Sequence, residues 1–175
     1  RPVDYDPSAT LQKYVAGTVG ARDTATGIYC PTLGGGKNWQ PMSFDPHTGL
    51  VYIPANNVCM DMSPTEVQYK RGTMYLGKEF PAKPGPGDFL GELVAWDPIK
   101  QAKVWSIKET TPFNAGTLAT GGGVVFAGNN SGLFRAIDAK SGNVLWSMDL
   151  GSGISAAPAT FSVDGKQYVA VVVGR

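Results

Sequence analysis

One phrase of eleven residues occurs twice in this chain. Residues 95–105 read Ala95-Trp96-Asp97-Pro98-Ile99-Lys100-Gln101-Ala102-Lys103-Val104-Trp105, and residues 136–146 read Ala136-Ile137-Asp138-Ala139-Lys140-Ser141-Gly142-Asn143-Val144-Leu145-Trp146. Ala, Asp and Trp fall at the same offsets in both, and the second copy starts 41 residues after the first. A repeat of about 40–45 residues with a Trp closing a short strand marks the blade of a β-propeller. Each such unit is one sheet that cannot bury both faces alone, so neighbours must cover it. Functional sites of such folds lie where several blades meet.

The rest of the composition suits many short strands. The 175 residues include 23 Gly and 13 Pro, rich in turn formers, while 42% are hydrophobic, enough for a core. Charged residues make up 17% and the formal net charge is +1, so no basic patch points to nucleic acid and no acidic run to a disordered tail. No apolar run reaches the roughly 18 residues that a membrane span needs. The opening Arg1-Pro2-Val3-Asp4 reads like interior sequence, so a targeting segment upstream is expected to be missing.

Residues 1–41 are rich in Gly and Thr and read as loop with short extended pieces. Residues 42–57 read as a blade hairpin, turning at Pro46-His47-Thr48-Gly49, where Pro presets φ and Gly supplies positive φ. Residues 63–90 carry Pro64, Pro81, Pro84 and Pro86 among four glycines, too irregular for a blade; they read as an excursion on one rim. Blades resume over 91–175. Residues 92–97 and 103–108 form one hairpin; 123–128, 133–138 and 143–149 form the next blade. Residues 157–162 and 167–173 pair across Val163-Asp164-Gly165-Lys166, an Asp-Gly turn. No amphipathic helix stands out. The count is roughly three to four blades, and a ring needs typically 4–8, so residues 1–175 read as part of a single all-β propeller domain.

Ordinary catalytic constellations are scarce. The one histidine, His47, sits in a turn and reads as solvated. No Cys-x-x-Cys or His-x-x-x-His occurs, which leaves no transition-metal site on this chain alone. Gly34-Gly35-Gly36-Lys37-Asn38 lacks the spacing of a phosphate loop, and no helix follows it. Asp45, Asp97 and Asp138 occupy blade turns and read as acceptors for turn amides.

The segment running from Gly34-Gly35-Gly36-Lys37-Asn38-Trp39 to Phe44-Asp45, with Ala55-Asn56-Asn57-Val58-Cys59-Met60-Asp61-Met62 downstream, resembles the quinoprotein alcohol and methanol dehydrogenases that use pyrroloquinoline quinone. Ala136, Asp138, Gly142 and Trp146 match that family's tryptophan docking motif; its partner at Ala95, Asp97 and Trp105 has Gln101 where Gly is usual. The resemblance runs from about Tyr29 to Gly174 and implies that the chain is the C-terminal portion of an eight-bladed propeller of four-stranded antiparallel blades. It implies that Asn38 reaches toward the quinone, where an amide can donate to a carbonyl and does not titrate, and that Trp39 lines the pocket. Phe113 or Asn114 would border the cofactor where the family often has Trp-Asn-Gly-Gly. Val173 would approach the quinone in a stretch that reads Val173-Gly174-Arg175 here, against the family's Val-Gly-Trp. Cys30 and Cys59 would form a disulfide, since both flank the cofactor segment and the family is exported to the periplasm. Trp105 and Trp146 would each pack between blades and donate their N–H to the backbone.

The family's catalytic base and its calcium or lanthanide ligands have no counterpart here, so no residue of this chain is assigned a catalytic or metal role. By resemblance the complete enzyme oxidises a primary or other small alcohol to the aldehyde and passes electrons to an acceptor such as a cytochrome c. This chain would contribute one wall of the site, and would not fold stably without the N-terminal portion of the same enzyme. The alternative is a non-catalytic propeller scaffold that binds proteins on its rim; the blade repeat alone fits either.

Overall fold

Antiparallel hairpins closed by Gly-bearing turns build this chain. The computed structural model describes residues 27–79 and 81–174, together with strands β1 (Val3–Asp4) and β2 (Lys13–Tyr14), which pair with each other. The expectation for residues 1–26 otherwise lies outside the described residues. The remaining strands are β3 (Gly27–Tyr29), β4 (Ser43–Asp45), β5 (Leu50–Asn56), β6 (Val58–Pro64), β7 (Lys78–Glu79), β8 (Ala82–Pro84), β9 (Gly91–Asp97), β10 (Ala102–Glu109), β11 (Thr117–Thr120), β12 (Val124–Gly128), β13 (Leu133–Asp138), β14 (Val144–Asp149), β15 (Ala159–Val163) and β16 (Lys166–Ala170). No helix occurs among the described residues.

Two complete four-stranded blades result, in the orders β4-β5-β9-β10 and β11-β12-β13-β14, followed by the hairpin β15-β16. The first blade is split in sequence. Its two hairpins are separated by residues 57–90, which leave from Asn56 and return at Gly91, directly paired neighbours in the sheet. The excursion has its own small sheet: β6 pairs with β3, β7 and β8. Residues 58–64 are thus a strand where no regular element was expected, stabilised by three short partners rather than by a blade. The inner strand β11 was also not foreseen; four residues of Thr-Leu-Ala-Thr carry too little alternation to announce themselves.

The repeated phrase folds the same way twice. In both copies the Asp carboxylate accepts turn amides: Asp97 from Ile99 and Lys100 at 3.0 and 2.9 Å, Asp138 from Lys140 and Ser141 at 3.1 and 2.7 Å. Both strand pairs then carry a register shift just before the Trp, between Lys103 and Trp105 and opposite Ala136 and Ile137. A bulge of this kind re-aims the side chain that follows it. The Asp164-Gly165 turn has φ of +49° and +74° at its two central residues, the two-residue hairpin geometry that Asp-Gly favours.

Two of the three core clusters lie between the two blades, and the third sets Phe134 with Ala115 and Ile154 against Val169 and Val171. Leu50, Tyr52 and Ala95 of the first blade face Val125 and Ala139 of the second, and Leu93 packs on Phe113, Ala127 and Ile137. Trp105 closes this interface as expected: its Nε1–H donates to the Ala139 carbonyl at 3.1 Å, and its ring lies 5.7 Å from that of Tyr52, whose hydroxyl donates to the same carbonyl at 2.9 Å. Burial raises the Tyr52 pKa above its ordinary value. Trp146 departs from the expectation. It is 45% exposed, and its one aromatic neighbour is Phe134 of its own blade, at 6.3 Å. No following blade lies over it among the described residues.

Candidate functional site

Register places one end of the molecule in charge of the site. Asn56 pairs with Gly91, and Gly91 with Glu109, so the ends of β5 and β10 and the start of β9 share an edge. The inner strands begin there as well: Thr117 donates its backbone N–H across to Pro41 O at 3.0 Å, and its hydroxyl meets Ser43 Oγ at 2.8 Å. The segments preceding β4, β11 and β15 therefore converge at this end. They approach so closely at Gly116 that a Cβ there would lie 2.5 Å from the Pro41 ring and 2.8 Å from Ala157.

A cleft of about 350 Å³ opens beside this convergence. Asn38, Trp39 and Gln40 of the first segment, Asn56 at the end of β5, Asn114 of the second segment and Met60 of β6 border it. Its polar groups are chiefly neutral amides, with the Thr32 hydroxyl and an indole beside them. Trp39 is 60% exposed, so its ring stands at the mouth rather than in the core. The Cys30–Cys59 disulfide joins the segment leading into the cleft to β6, with Cα atoms 4.4 Å apart. The expected pairing is therefore present. Closing a loop of 29 residues stabilises by about 3–4 kcal/mol in the chain-entropy account.

Of the residues singled out from sequence, Asn38, Trp39 and Asn114 come together at this cleft. Phe113 does not line it. Its ring is 1% exposed and points into the interblade core; only its peptide unit reaches the site edge. The physical reason is alternation at the end of a tight connection: Pro112 and Asn114 flank the cleft, and the residue between them turns the other way. Val173 is also apart, bridged to Ile154 beyond β16 and absent from the cleft wall. Sequence reasoning missed Gln40 and Asn56. Both are amides that bond across more than fifty positions of chain, which no local pattern reveals.

A buried ion pair lies at the same end. Arg135 of β13 pairs with Glu109 of β10, and Asn129 Nδ2 donates to the other Glu109 oxygen at 2.9 Å. It ties the outer edge of the first blade to the second and is not part of the cleft wall. Among the described residues no group of three or more His, Cys, Asp or Glu side chains is gathered to hold a metal ion. No helix of the described residues is long and apolar enough to cross a membrane.

An all-β fold of four-stranded blades packed face to face, with an amide-lined cleft where inner-strand connections converge, defines the class as a propeller segment. Residues 88–169 match the family described as PQQ: Glucose/ethanol/alcohol dehydrogenase, beta-propeller domain. The chain is 47% identical over 144 residues to a quinoprotein ethanol dehydrogenase of Pseudomonas aeruginosa, covering 82% of this chain and 23% of that protein. It is 43% identical over 149 residues to a lanthanide-dependent methanol dehydrogenase of Methylacidiphilum fumariolicum, covering 83% and 24%. Among solved structures, the quinohemoprotein alcohol dehydrogenase from Comamonas testosteroni superimposes with a TM-score of 0.82 at 35% identity, over 99% of this chain and 27% of that one. The chain belongs to the pyrroloquinoline quinone-dependent alcohol and methanol dehydrogenase family, as a segment of its β-propeller. It spans about a quarter of the length of the curated relatives it matches.

Proposed function

We propose that this chain forms one wall of a pyrroloquinoline quinone site in an enzyme that oxidises a primary or other small alcohol to the aldehyde. The observation that carries the reading is the convergence of Asn38, Asn114 and Trp39 on one cleft, at the end of the blades where the inner-strand connections meet. These side chains fit the group. Neutral amides can donate to the carbonyl and carboxylate oxygens of a flat quinone without titrating, and an exposed indole offers it an aromatic face. When bound, the quinone supplies the carbonyl carbon that accepts hydride from the alcohol. The residues of this chain bind and orient it: Asn38 by its side-chain N–H, Asn114 from the opposite segment, Trp39 at the mouth.

The catalytic base and a calcium or lanthanide ion acting as Lewis acid belong to other parts of the enzyme in this reading. Its natural partner is the N-terminal portion of the same enzyme, which would cover the exposed outer faces of the blades. An electron acceptor such as a cytochrome c would reoxidise the quinone. The disulfide suits an oxidising compartment, the periplasm. The scaffold reading has less support, because a rim-binding propeller has no use for four amides around one cleft.

Asn38 supplies the test. Asn38→Ala removes one hydrogen bond and leaves a cofactor oxygen unpaired, a loss of about 1–3 kcal/mol, or roughly five- to 150-fold in binding or turnover. Asn38→Asp is worse, since an ionised carboxylate faces an electron-rich oxygen and cannot donate. Turnover per bound quinone, read from its visible absorbance with melting as control, checks this. Unaltered turnover in a folded Asn38→Asp protein removes Asn38 from the site.

A further inference from the structure

A buried amide and a half-buried one hold the two walls of the cleft to the backbone of one residue, Phe113. Gln40 is 2% exposed; its Nε2 donates to Phe113 O at 2.7 Å, and its Oε1 accepts the Asn38 backbone N–H at 3.1 Å. Asn56 holds both backbone groups of the same residue: its Nδ2 donates to Phe113 O at 3.1 Å, and its Oδ1 accepts the Phe113 N–H at 2.7 Å. The Asn56 backbone N–H in turn donates to Gly36 O at 2.7 Å. Phe113 is itself fixed, because its ring is locked among Leu93, Ala127 and Ile137 in the interblade core.

We infer that Gln40 and Asn56 are positioning residues, a paired amide clamp on the Phe113 peptide that sets the spacing of Asn38 and Asn114 across the cleft. The inference rests on the quinone reading of that cleft. Each atom of the clamp has a role that its neighbours cannot supply. Asn38 belongs to no strand, and its backbone N–H donates to nothing else among the described hydrogen bonds. The segment is anchored at Gly36 and Pro41 on either side, and Gln40 is the tie between them that reaches Asn38 itself among the described hydrogen bonds. Phe113 O accepts from both amides, so either one alone leaves that carbonyl with a single side-chain donor. The apolar anchor and the polar clamp thus act in series: core packing fixes Phe113, Phe113 fixes Gln40, and Gln40 fixes Asn38. A site that must meet a rigid flat ligand gains from such preorganisation, since its walls lose less freedom on binding.

Gln40→Glu in the intact protein is the diagnostic variant. It keeps the size of the side chain and an acceptor for the Asn38 N–H, but an ionised carboxylate cannot donate to Phe113 O. When protonated it can. Quinone affinity of the apoprotein, titrated by absorbance at temperatures well below melting, is expected to fall about tenfold at neutral pH. The ratio of variant to unaltered affinity is expected to recover as pH falls through the carboxyl titration. Gln40→Met shows the loss without the recovery, and Asn56→Asp, which loses only its donor, shows the same pattern as Gln40→Glu. Hydrogen exchange of the amides at residues 36–40, measured without quinone, is expected to quicken in Gln40→Glu. A folded Gln40→Glu protein with unchanged affinity, or with no recovery at low pH, overturns the inference, and so does unchanged exchange at 36–40. Failure of the unaltered protein to take up quinone overturns instead the reading of the cleft; the exchange measurement then decides the clamp by itself.

Discussion

The seam between the two blades is closed, whereas the far face of the second blade is covered only over its inner strands, by Ile154, Val169 and Val171, and is open at its outer strand, although the same phrase builds both. Trp105 lies in the seam, with its N–H bonded to Ala139 O and its ring beside Tyr52. Trp146 occupies the same offset of the second copy and is 45% exposed, and Met148, two residues on along the same strand, is exposed too. The difference teaches what the phrase encodes. Asp, turn and bulge are local and form in both copies. The docking of the Trp is not local: it needs the carbonyl and the glycine of the next copy.

The glycine makes this plain. At Gly142, where φ is +78°, a Cβ would come within 2.7 Å of the Trp105 ring. The position is glycine because a tryptophan from the previous blade lies against it. Gln101 holds the equivalent place in the first copy, also at positive φ, +52°, but is exposed, with no indole seated on it among the described residues. The departure of the first copy from the family motif thus has a physical reason: left-handed backbone strains a Gln by about 1 kcal/mol, whereas a side chain under a docked indole would displace it.

The largest expected effects sit in the closed seam. Trp105→Ala should cost about 3–5 kcal/mol, as large-to-small changes in a core do, whereas Trp146→Ala in this chain alone should cost about 1 kcal/mol. Chemical denaturation of both variants checks the contrast. In an intact enzyme whose next blade covers Trp146, the two costs should become similar; if they stay apart, Trp146 is not a docking residue. Glu109→Ala comes next. It strands the Arg135 guanidinium, whose Nε is already buried without a partner, and breaking a buried pair on one side costs about 3 kcal/mol.

Gly142→Ala and Gln101→Gly sharpen the comparison from opposite signs. The first adds a Cβ under the Trp105 ring and forces a non-glycine residue into positive φ, for a loss of about 2 kcal/mol. The second relieves strain at a solvated position and should stabilise by about 0.5–1 kcal/mol, the loss of unfolded-state restriction offsetting part of it. Equal effects at the two sites, in melting curves, would mean that the docked indole has no part in the requirement for glycine.

The same division decides what could be read from sequence. The Pro46–Gly49, Asp97, Asp138 and Asp164-Gly165 turns were legible because each carries its own chemistry within four residues, and they delimit the blade hairpins. The disulfide followed from resemblance and is present. What stayed hidden depends on distant partners. That β5 pairs with β9 across residues 57–90 is a property of the sheet, not of either strand. β6 looked irregular because its partners are two or three residues long. Asn38, Trp39 and Asn114 were named from a motif and do border one cleft, but the direction of Phe113 and the bonds of Gln40 and Asn56 were set by an interface 57 to 73 positions away along the chain.

The smallest expected effect compares the two turn aspartates. Both carboxyls are held below the ordinary carboxylate range: Asp138 chiefly by the Ser141 backbone N–H, then by the Ser141 hydroxyl, and Asp97 chiefly by the Lys100 backbone N–H. A group whose pKa is depressed by folding contributes stability that is present above its unfolded value and is lost as pH falls through its folded one. Asp97→Asn and Asp138→Asn should therefore each destabilise at neutral pH, and each deficit should vanish on acidification through the carboxylate range. The two differ in their remaining partner. Asp138 accepts the Ser141 hydroxyl at 2.8 Å, whereas Asp97 faces the exposed Lys100 Nζ at 3.4 Å. Salt screens an exposed ion pair and leaves a short neutral hydrogen bond largely intact. Added salt should accordingly shrink the deficit of Asp97→Asn more than that of Asp138→Asn. Denaturation midpoints at low and high salt measure it, and equal shrinkage at the two turns would show that the Lys100 ammonium contributes nothing to the first.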